Sequence, residues 1–564
     1  MKKIFHFFSK DWYFAFLFST ILITAAFIPF FHETFQTPKD NIFLGTHNNA
    51  LDYPMFISEI IQAQRGRWTF LAKFTSEAQP GTLVHPIYIP LGKLGALLNL
   101  PPPIVYHLAR IIFGFTLALS TFYFIMQVFP SNTKVGIISK RKLAFLLALF
   151  SAGFSQFDFS KWPPLPVDTY LGWWTGGDVL RRAVFQPHAM LKNTLLLLIL
   201  VWMAKFLTGN SRKYLYFSLP AGLFLGLLDP MNTMTILLLL GFYGLYRTVK
   251  SGIKGLATKN IRYEIKEFLI YIFPLIIYFI FAGSALLYMN WVFSATPWRA
   301  VRDWEAHQFY TVPFWDYANH IGLTFYLGAL GLLLLILKKR NIFTYYVIFL
   351  IVGPIFLITS GFTQKFGLST LRFFQTPVYI FLAIASTEFI SLIFFALRKI
   401  INTLFSARLC NLIFALCTLL LFIPSIPTYY LSYQNQYLEF KPWYWNIYPD
   451  KDFAAAADWL KLNTPLDSVV LSNSTAGNII PAMSGNTVYV GHMVSTIDYG
   501  IKNDLVTKFL SGQMLPKDAK TILDNGRVDY VLLMWGEQYR VHYPFLTKVY
   551  ENPTTMIYRY NKTQ

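Results

Sequence analysis

The chain has 564 residues, of which 55% are hydrophobic, 18% are aromatic and only 13% are charged. Soluble globular proteins carry roughly a quarter charged residues. The missing charge is explained by several apolar runs of about 20 residues, the length of a membrane-spanning helix. This composition excludes an ordinary soluble protein. The net charge of +20 does not indicate nucleic-acid binding, because no basic run interleaved with aromatic residues lies in a soluble segment.

The apolar runs predict a polytopic α-helical membrane protein with about eleven transmembrane helices. Lysine and arginine collect in the connections that follow the even-numbered spans, which predicts that these loops are cytoplasmic. We therefore expect a multi-pass protein of the cytoplasmic (plasma) membrane, with its N-terminus inside and its C-terminal part outside. The predicted spans are roughly 12–31, 104–129, 143–157, 189–208, 214–228, 232–248, 268–290, 320–337, 343–360, 373–396 and 409–430.

The composition changes near residue 431, which predicts two domains, 1–430 and 431–564. The first holds the spans and two long outer loops, 32–103 and 158–188. The second alternates short apolar runs with amphipathic stretches and predicts a small extracytoplasmic α/β domain. Helices are expected near 452–462, 500–511 and 516–525, and strands near 468–471, 487–490, 529–533 and on both sides of 551–553. Gly491-His492 and Thr496 to Asp498 are its most site-like residues, unless they are ordinary loop residues.

The first outer loop contains a conspicuous carboxylate, Asp52, followed by Tyr53 and Pro54. A carboxylate beside an acceptor hydroxyl can serve as a general base, and that is the role we predict for Asp52. The alternative is an N-cap, since Asp favours that position and Pro favours the first helical turn. Glu59, seven residues on, is a candidate second acid or else part of a solvated helix face.

The second outer loop combines acids, bases and aromatic side chains within thirty residues. This variety suits a sugar or acceptor pocket, to which we assign Tyr53 of the first loop and, from the second, Trp173, Trp174, Asp178, Arg181 and His188. The alternative for the second loop is interfacial anchoring, with Asp178 and Arg181 paired across one helical turn. His188 has the further alternative of a hydrogen-bonded core residue.

Three segments carry a resemblance to a known family. They are Asp52-Tyr53-Pro54 with the following Gln62, Gly66, Trp68 and Thr75-Ser76-Glu77, then Gln186-Pro187-His188, and finally Leu371-Arg372-Phe373. With the predicted topology, they resemble the GT-C superfamily of integral membrane glycosyltransferases, of the mannosyltransferase and arabinosyltransferase type. The resemblance extends over the whole predicted topology, and the sequence motifs that carry it are loose. It implies a GT-C-like transmembrane domain over 1–430 and a catalytic Asp52.

The resemblance also implies the reaction and the partners. Such enzymes transfer a hexosyl or pentosyl group from a polyprenyl-phosphate carrier, outside the membrane, to a glycan, lipid or protein acceptor. Arg372 is expected to bind the lipid phosphate; its alternative is snorkelling to headgroups. The first loop has no Asp-x-Asp pair, whereas many relatives carry paired acids, so a divalent cation remains an open question. His47 and His85 lack the spacing of metal ligands, and no metal site is predicted.

Three other functions remain as alternatives. A lipid-linked oligosaccharide polymerase or ligase would share the outer loops and their aromatic residues. A non-enzymatic membrane transporter would place ionisable residues near the membrane midplane, often in repeated halves. A catalytically inactive relative would act in assembly alone.

Overall fold

The computed structural model divides into two compact units. The first comprises Met1–Phe27, Arg110–Met289 and Gln308–Asn435, and the second comprises Ile28–Ala109, Asn290–His307 and Gln436–Gln564. The described residues are 10–46, 49–130, 133–135, 138–160, 162–167, 176–209, 211–258, 261–308, 311–337, 341–366, 369–404, 406–439, 445–534, 536–537 and 540–562.

The first unit is almost entirely helical. Helices that run from one unit into the other are assigned to the unit that holds most of their residues. Capping side chains begin several of the helices; Ser139, Asn341 and Ser406 each accept a hydrogen bond from a backbone N–H three residues later. The helices are Lys10–Phe35, Pro102–Val128, Lys140–Phe150, Val179–Val184, Pro187–Gly209, Arg212–Leu228, Pro230–Thr258, Ile261–Val292, Phe314–Ile321, Leu323–Leu337, Ile342–Thr359, Leu371–Phe374, Val378–Leu404, Ala407–Leu420 and Ile426–Glu439, with 3-10 turns at Thr363–Phe366 and Ile423–Ser425.

Among the described residues, seven helical segments are long and apolar enough to cross a membrane. The helices Phe314–Ile321 and Leu323–Leu337 meet at 105° and would make an eighth span if they form one broken segment. The protein is therefore a multi-pass membrane protein, as predicted. The seven segments are Lys10–Phe35, Pro102–Val128, Pro187–Gly209, Ile272–Val292, Ile342–Thr359, Val378–Ile400 and Arg408–Gln434.

The predicted count of eleven spans is not confirmed. Three predicted spans fall on the helices Lys140–Phe150, Arg212–Leu228 and Pro230–Thr258, which do not satisfy the same criteria of length and apolarity. The first has 11 residues, roughly 16 Å at the helical rise, about half of the hydrocarbon core.

Helix packing in the first unit depends on small residues at close crossings. The helix Leu323–Leu337 packs against Val378–Leu404, and a Cβ added at Gly331 would lie 1.8 Å from the backbone oxygen of Ala385. Only glycine permits this separation, a common feature of membrane helix pairs. The described part of this unit adds two short antiparallel hairpins, β1 (Lys134–Val135) with β2 (Ile138–Ser139) and β3 (Gln156–Asp158) with β4 (Leu165–Val167).

The second unit is an α/β structure built on a five-stranded sheet. Its strands are β5 (Val469–Leu471), β6 (Thr487–Val488), β7 (Tyr530–Met534), β8 (Leu546–Glu551) and β9 (Thr555–Tyr560), in the order β6-β5-β7-β9-β8. Strands β6, β5 and β7 are parallel, whereas β9 and β8 join them as an antiparallel hairpin. Its helices are Tyr53–Gln64, Tyr88–Leu97, Trp298–Ala306, Lys451–Asn463, Ser474–Met483, Tyr499–Leu510 and Pro516–Asn525.

Side-chain alternation along β7 separates the core of this unit into two layers. Val531 and Leu533 join one buried cluster, while Leu532 and Met534 join the other, as the two-residue period of a strand requires. Phe74, from the first predicted outer loop, is 1% exposed and belongs to the second cluster. The first loop therefore contributes a side chain to the core of the C-terminal α/β structure, a contribution that was not predicted from the sequence.

Candidate active site

Asp52 directly precedes the helix Tyr53–Gln64, with Pro54 in its first turn. Although Asp52 occupies the N-cap position, its side chain makes no capping hydrogen bond, so the capping interpretation is wrong. Its Oδ2 instead accepts a hydrogen bond from the side-chain amide of Asn49, and its Oδ1 lies 3.0 Å from His492 Nε2. The side chain is 33% exposed. The carboxylate is thus held by two neighbours and still meets solvent.

The imidazole of His492 is engaged through both ring nitrogens. Ser495 shares its backbone N–H between the His492 carbonyl at 3.1 Å and Nδ1 at 3.2 Å, so a neutral ring carries its hydrogen on Nε2 and donates it to Asp52. The ring is 7% exposed and meets the ring of Phe74 at 5.8 Å in an edge arrangement. Since Asp52 and Phe74 come from the first loop, this contact joins that loop to the C-terminal α/β structure.

A second contact between these segments lies at Glu77. Lys502 donates to Glu77 Oε1 at 2.5 Å and to Thr75 Oγ1 at 3.2 Å, and Thr75 donates its hydroxyl to Glu77. Burial acts to raise the pKa of Glu77, but the hydrogen bonds from Lys502 and Thr75 outweigh it and hold the pKa below its usual value. Glu77 is therefore an ion-paired anchor of the first loop.

A third contact is formed by Lys73, whose side chain is fully buried. Its ammonium donates to Asp467 Oδ1 at 2.7 Å, to the Leu466 carbonyl at 3.1 Å and to Thr487 Oγ1 at 3.2 Å. Burial lowers the pKa of Lys73 to about 8, even though Asp467 favours the charged form. The backbone takes part as well, because Val488 of β6 donates to the Lys73 carbonyl at 2.8 Å.

Glu59, the candidate second acid, is 3% exposed. Its Oε1 lies 3.1 Å from His85 Nδ1, and its Oε2 is buried with no hydrogen-bond partner among the described residues. Burial raises the pKa of Glu59, and the nearby His85 opposes that shift. A solvated helix face is therefore wrong for Glu59. It does not share the partners of Asp52, so the two acids have separate surroundings.

Tyr53, assigned to the sugar or acceptor pocket, is 3% exposed. Its hydroxyl donates to the Leu44 carbonyl at 3.0 Å, and its ring meets the ring of Tyr106 at 5.2 Å. Its pocket role remains a prediction.

The first unit contains a cavity of about 670 Å³, a volume that includes space open to solvent. Asp178 and Arg181 line it, while Trp173 and Trp174 lie outside the described residues. His188 is half-buried at the start of the helix Pro187–Gly209. The other lining residues are Gly176, Arg182, Phe185, Ala189, Met190, Lys192, Asn193, Phe374, Gln375, Thr376 and Tyr379.

Asp178 and Arg181 are paired across one turn, as the anchoring alternative predicted. Asp178 caps the helix Val179–Val184 by accepting from the backbone N–H of Arg181 at 3.1 Å, and its Oδ2 lies 3.5 Å from Arg181 Nε. Ser432 donates to the same carboxylate at 2.6 Å. This pairing does not exclude a pocket role, because both side chains line the cavity.

A buried polar cluster on the cavity wall centres on Lys192. The ammonium lies 2.7 Å from Asp229 Oδ2 and donates to Gln375 Oε1 at 2.6 Å. Asp229 also accepts from the backbone and side-chain amides of Asn232. Arg372, in the helix Leu371–Phe374, is close enough to act electrostatically on Lys192. The cluster thus pairs Lys192 with one carboxylate, within electrostatic reach of a second cation, Arg372.

Two residues of these clusters were missed or undervalued from the sequence alone. Lys192 carried a usable signal, since a lone lysine in an apolar span requires a polar partner or a function. His492 carried only a weak one, because nothing in the sequence relates it to Asp52, 440 positions earlier. Among the described residues, no three His, Cys, Asp or Glu side chains form a group able to hold a metal ion.

No protein-family model and no curated protein matches the chain. Among solved structures, the chain is similar to the oligosaccharyltransferase of Archaeoglobus fulgidus in its apo form, with 14% identity and a TM-score of 0.51 over 93% of this chain and 70% of that chain. It is also similar to ArnT from Cupriavidus metallidurans bound to undecaprenyl phosphate, with 11% identity and a TM-score of 0.48 over 96% of this chain and 97% of that chain.

At such low identity the likeness to the archaeal oligosaccharyltransferase, a GT-C enzyme, bears on the fold alone. Both the helical membrane part and the small C-terminal sheet agree with the predicted fold class. The predicted fold class, a polytopic helical membrane protein of GT-C-like fold with a small C-terminal α/β domain, is therefore confirmed at the level of the fold.

Proposed function

We propose that the chain is a membrane glycosyltransferase that moves a sugar from a polyprenyl-phosphate carrier to an acceptor on the extracytoplasmic side. The observation that carries the proposal is the state of Asp52. Its carboxylate is partly exposed, is not used as a helix cap and, counting the described residues, accepts one hydrogen bond on each oxygen. Each oxygen therefore retains a lone pair for an acceptor hydroxyl.

The proposed reaction is a displacement at the anomeric carbon of the donor sugar. The acceptor oxygen forms a bond to that carbon while its proton passes to Asp52, which acts as the general base. The bond between the anomeric carbon and the phosphate oxygen breaks, and the electron pair leaves with polyprenyl phosphate. Atoms and charge balance without a further reactant. The sugar transferred, whether a hexose or a pentose, is left open.

Binding of the donor phosphate is proposed for the cationic cluster of the first unit. Arg372 provides a guanidinium able to bind phosphate oxygens in pairs. Lys192 adds a second cation to the same cluster, beside Asp229 and the Gln375 amide. The adjoining cavity is lined by Asp178 and Arg181 among others, and such polar groups beside apolar side chains suit a sugar pocket. Trp173, Trp174 and His188 remain proposed pocket residues.

The test is sugar transfer by the full-length chain purified into proteoliposomes. The donors are radiolabelled undecaprenyl-phosphate hexoses and pentoses, and a cell-envelope extract supplies acceptors. Asp52→Asn should lower the transfer rate about 100-fold or more, the usual contribution of a general base. Asp504→Asn, an exposed acid on the helix Tyr499–Leu510, is the matched control and should transfer at the wild-type rate. Wild-type transfer by a folded Asp52→Asn protein would refute the assignment.

The phosphate site has its own experiment. Arg372→Ala should weaken the apparent affinity for undecaprenyl phosphate, measured by competition against the labelled donor. Arg299→Ala, whose side chain is 72% exposed, is the control for the loss of one arginine. Unchanged affinity in Arg372→Ala would remove Arg372 from the mechanism while leaving the role of Asp52 untouched.

Oligosaccharide transfer is the second candidate, because the solved structure at a TM-score of 0.51 is an oligosaccharyltransferase. The same assay separates the two, since this candidate requires a donor that carries several sugars and fails with single-sugar donors. A transporter would move labelled donor across the bilayer without forming a labelled acceptor.

A further inference from the structure

We propose that His492 is a positioning residue for sugar transfer, fixing the direction of the Asp52 carboxylate so that the base is assembled from the first loop and the C-terminal α/β structure together. The inference rests on the proposed function of Asp52. It assigns to His492 a role that acts on the reaction only through that carboxylate.

The ring geometry excludes His492 as the base itself. A histidine base needs one ring nitrogen free to take the proton. Here Nδ1 accepts the backbone N–H of Ser495 at 3.2 Å, and Nε2 faces Asp52 Oδ1 at 3.0 Å. Both nitrogens are therefore occupied, and the ring is 7% exposed. Asp52 is the member of the pair that meets solvent.

The loop around His492 is fixed by further hydrogen bonds to the first loop. Thr496 donates its hydroxyl to the Phe74 carbonyl at 2.7 Å and accepts from the Gly491 backbone N–H at 3.1 Å. Its own N–H bonds the His492 carbonyl at 2.9 Å. Since Phe74 is buried in the core, the imidazole is held on a rigid support rather than on a free loop.

The hydrogen bond between His492 and Asp52 is not needed merely to hold the first loop against the C-terminal α/β structure. The bonds of Lys73, Lys502 and Thr496 already join the two segments, and a pair with one partly exposed partner adds little stability. What the imidazole adds is a directed hydrogen bond on one carboxylate oxygen, with Asn49 on the other. Two donors on opposite oxygens restrict rotation of the carboxylate, and misplacing a reacting group by about 1 Å can cost 100-fold in rate.

The experiment compares His492→Phe with His492→Gln in the full-length chain. Phenylalanine keeps a ring against Phe74 but removes both nitrogens, whereas glutamine keeps an N–H donor at the position of Nε2. We expect kcat for transfer to fall about 10- to 100-fold in His492→Phe, with the donor KM nearly unchanged. His492→Gln should recover most of the loss. His307→Gln, an exposed histidine of the same unit, is the control.

A double variant tests whether His492 acts through Asp52. In an Asp52→Asn background, His492→Phe should cause no further loss, because the group that it orients is already inactive. Multiplying losses would overturn the inference, as would wild-type kcat in His492→Phe or a failure of His492→Gln to recover activity.

Side-chain nitrogen NMR of ¹⁵N-histidine-labelled chain gives a readout that needs no turnover. The His492 signal, identified by its loss in His492→Phe, should show the hydrogen on Nε2 and should shift in Asp52→Asn. A hydrogen on Nδ1, or no shift, would overturn the contact itself. If the contact is present and the wild-type chain transfers no sugar, the proposed function fails instead, so the two failures are distinguishable.

Discussion

Replacing Asp467 with alanine should destabilise the second unit more than replacing its buried partner Lys73 with methionine. Both changes break the same ion pair, yet they leave different residues behind. Asp467→Ala leaves a buried ammonium without its carboxylate, whereas Lys73→Met leaves a carboxylate whose side chain is 56% exposed. An exposed charge is solvated after its partner is lost, whereas a buried one is not.

The size of each effect follows from the contacts of Lys73. Burial lowers its pKa to about 8 from 10.5, a difference that corresponds to roughly 3 kcal/mol of unfavourable free energy for the charged form. Lys73→Met removes that penalty and also three hydrogen bonds. The charge-dependent part of these bonds is already contained in the pKa, so each is counted at the neutral value of about 1 kcal/mol. These contributions nearly cancel, so the free energy of unfolding should change by less than about 1.5 kcal/mol.

Asp467→Ala has no such compensation. It removes a charge-assisted hydrogen bond at 2.7 Å and a hydrogen bond from Arg67, while the cost of burying Lys73 remains. Bonds to charged groups contribute roughly 1.5–3 kcal/mol, and the partial exposure of Asp467 favours the lower end because solvent screens the pair. We expect a loss of about 2 kcal/mol.

Amide hydrogen exchange of the full-length protein measures the destabilisation by Asp467→Ala and by Lys73→Met close to Lys73 itself. The Val488 N–H, which bonds to the Lys73 carbonyl, reports opening of this contact. Lys548→Met, a half-exposed lysine of β8, is the control and should change the opening free energy by less than about 0.5 kcal/mol. Equal destabilisation by Lys73→Met and Asp467→Ala would contradict an uncompensated buried ammonium in Asp467→Ala.

The buried Lys73 should also make the stability of the second unit depend on pH. Because its folded pKa, about 8, lies below that of the unfolded chain, the unfolded state binds more protons between pH 8 and pH 10.5. Stability contributed by this group therefore rises with pH across that window. The difference in opening free energy between wild type and Lys73→Met should rise across it by roughly 3 kcal/mol, and a flat difference would contradict the burial of the charge.

Three other predictions concern single residues. Glu59→Gln should raise the melting temperature at neutral pH but not well below pH 4.5. The reason is that burial raises the pKa of Glu59, so its charged form is disfavoured in the folded protein. A lower melting temperature at neutral pH would mean that the bond to His85 outweighs the cost of burial. Lys192→Met should weaken the binding of undecaprenyl phosphate in the competition assay. In a thermal melt it should destabilise the protein less than Asp229→Asn does, because Asp229 keeps its hydrogen bonds from Asn232. Tyr53→Phe should lower the free energy of unfolding by about 1 kcal/mol in a thermal melt, because its hydroxyl hydrogen bond is lost. Transfer at the wild-type rate in the folded variant would count against the predicted contact of the Tyr53 hydroxyl with the sugar or acceptor.

Much of the fold could be predicted from the sequence wherever local hydrophobic patterns determine the secondary structure. The predicted strands near 468–471, 487–490 and 529–533 are confirmed by β5, β6 and β7, and the predicted closing pair by β8 and β9. The helix Ser474–Met483 was missed, because a short helix containing Pro481 has little periodic signal. Its N-cap, Asn473, accepts from the Ala476 N–H and is a local signal that points to this helix.

The candidate site was accessible only in part, for a different physical reason. Asp52 was recognisable because an isolated acid among aromatic residues is conspicuous. Its partner His492 was not, because side-chain pairing across a long sequence separation leaves no periodic trace. The burial of Glu59 likewise depends on tertiary packing around His85 and Tyr88 rather than on its position along the helix.

The contact of Lys73 with β6 also has a consequence for the order of folding. Lys73 and Thr487 are 414 positions apart, and at 5–20 residues per second a ribosome needs roughly 20 to 80 s to make the intervening chain. During that time Phe74 has no core to enter and the first loop lacks its later ion pairs. Asp52 can acquire its final surroundings only after His492 has been synthesised, so the candidate base is among the first parts of the protein to be made and among the last to be completed.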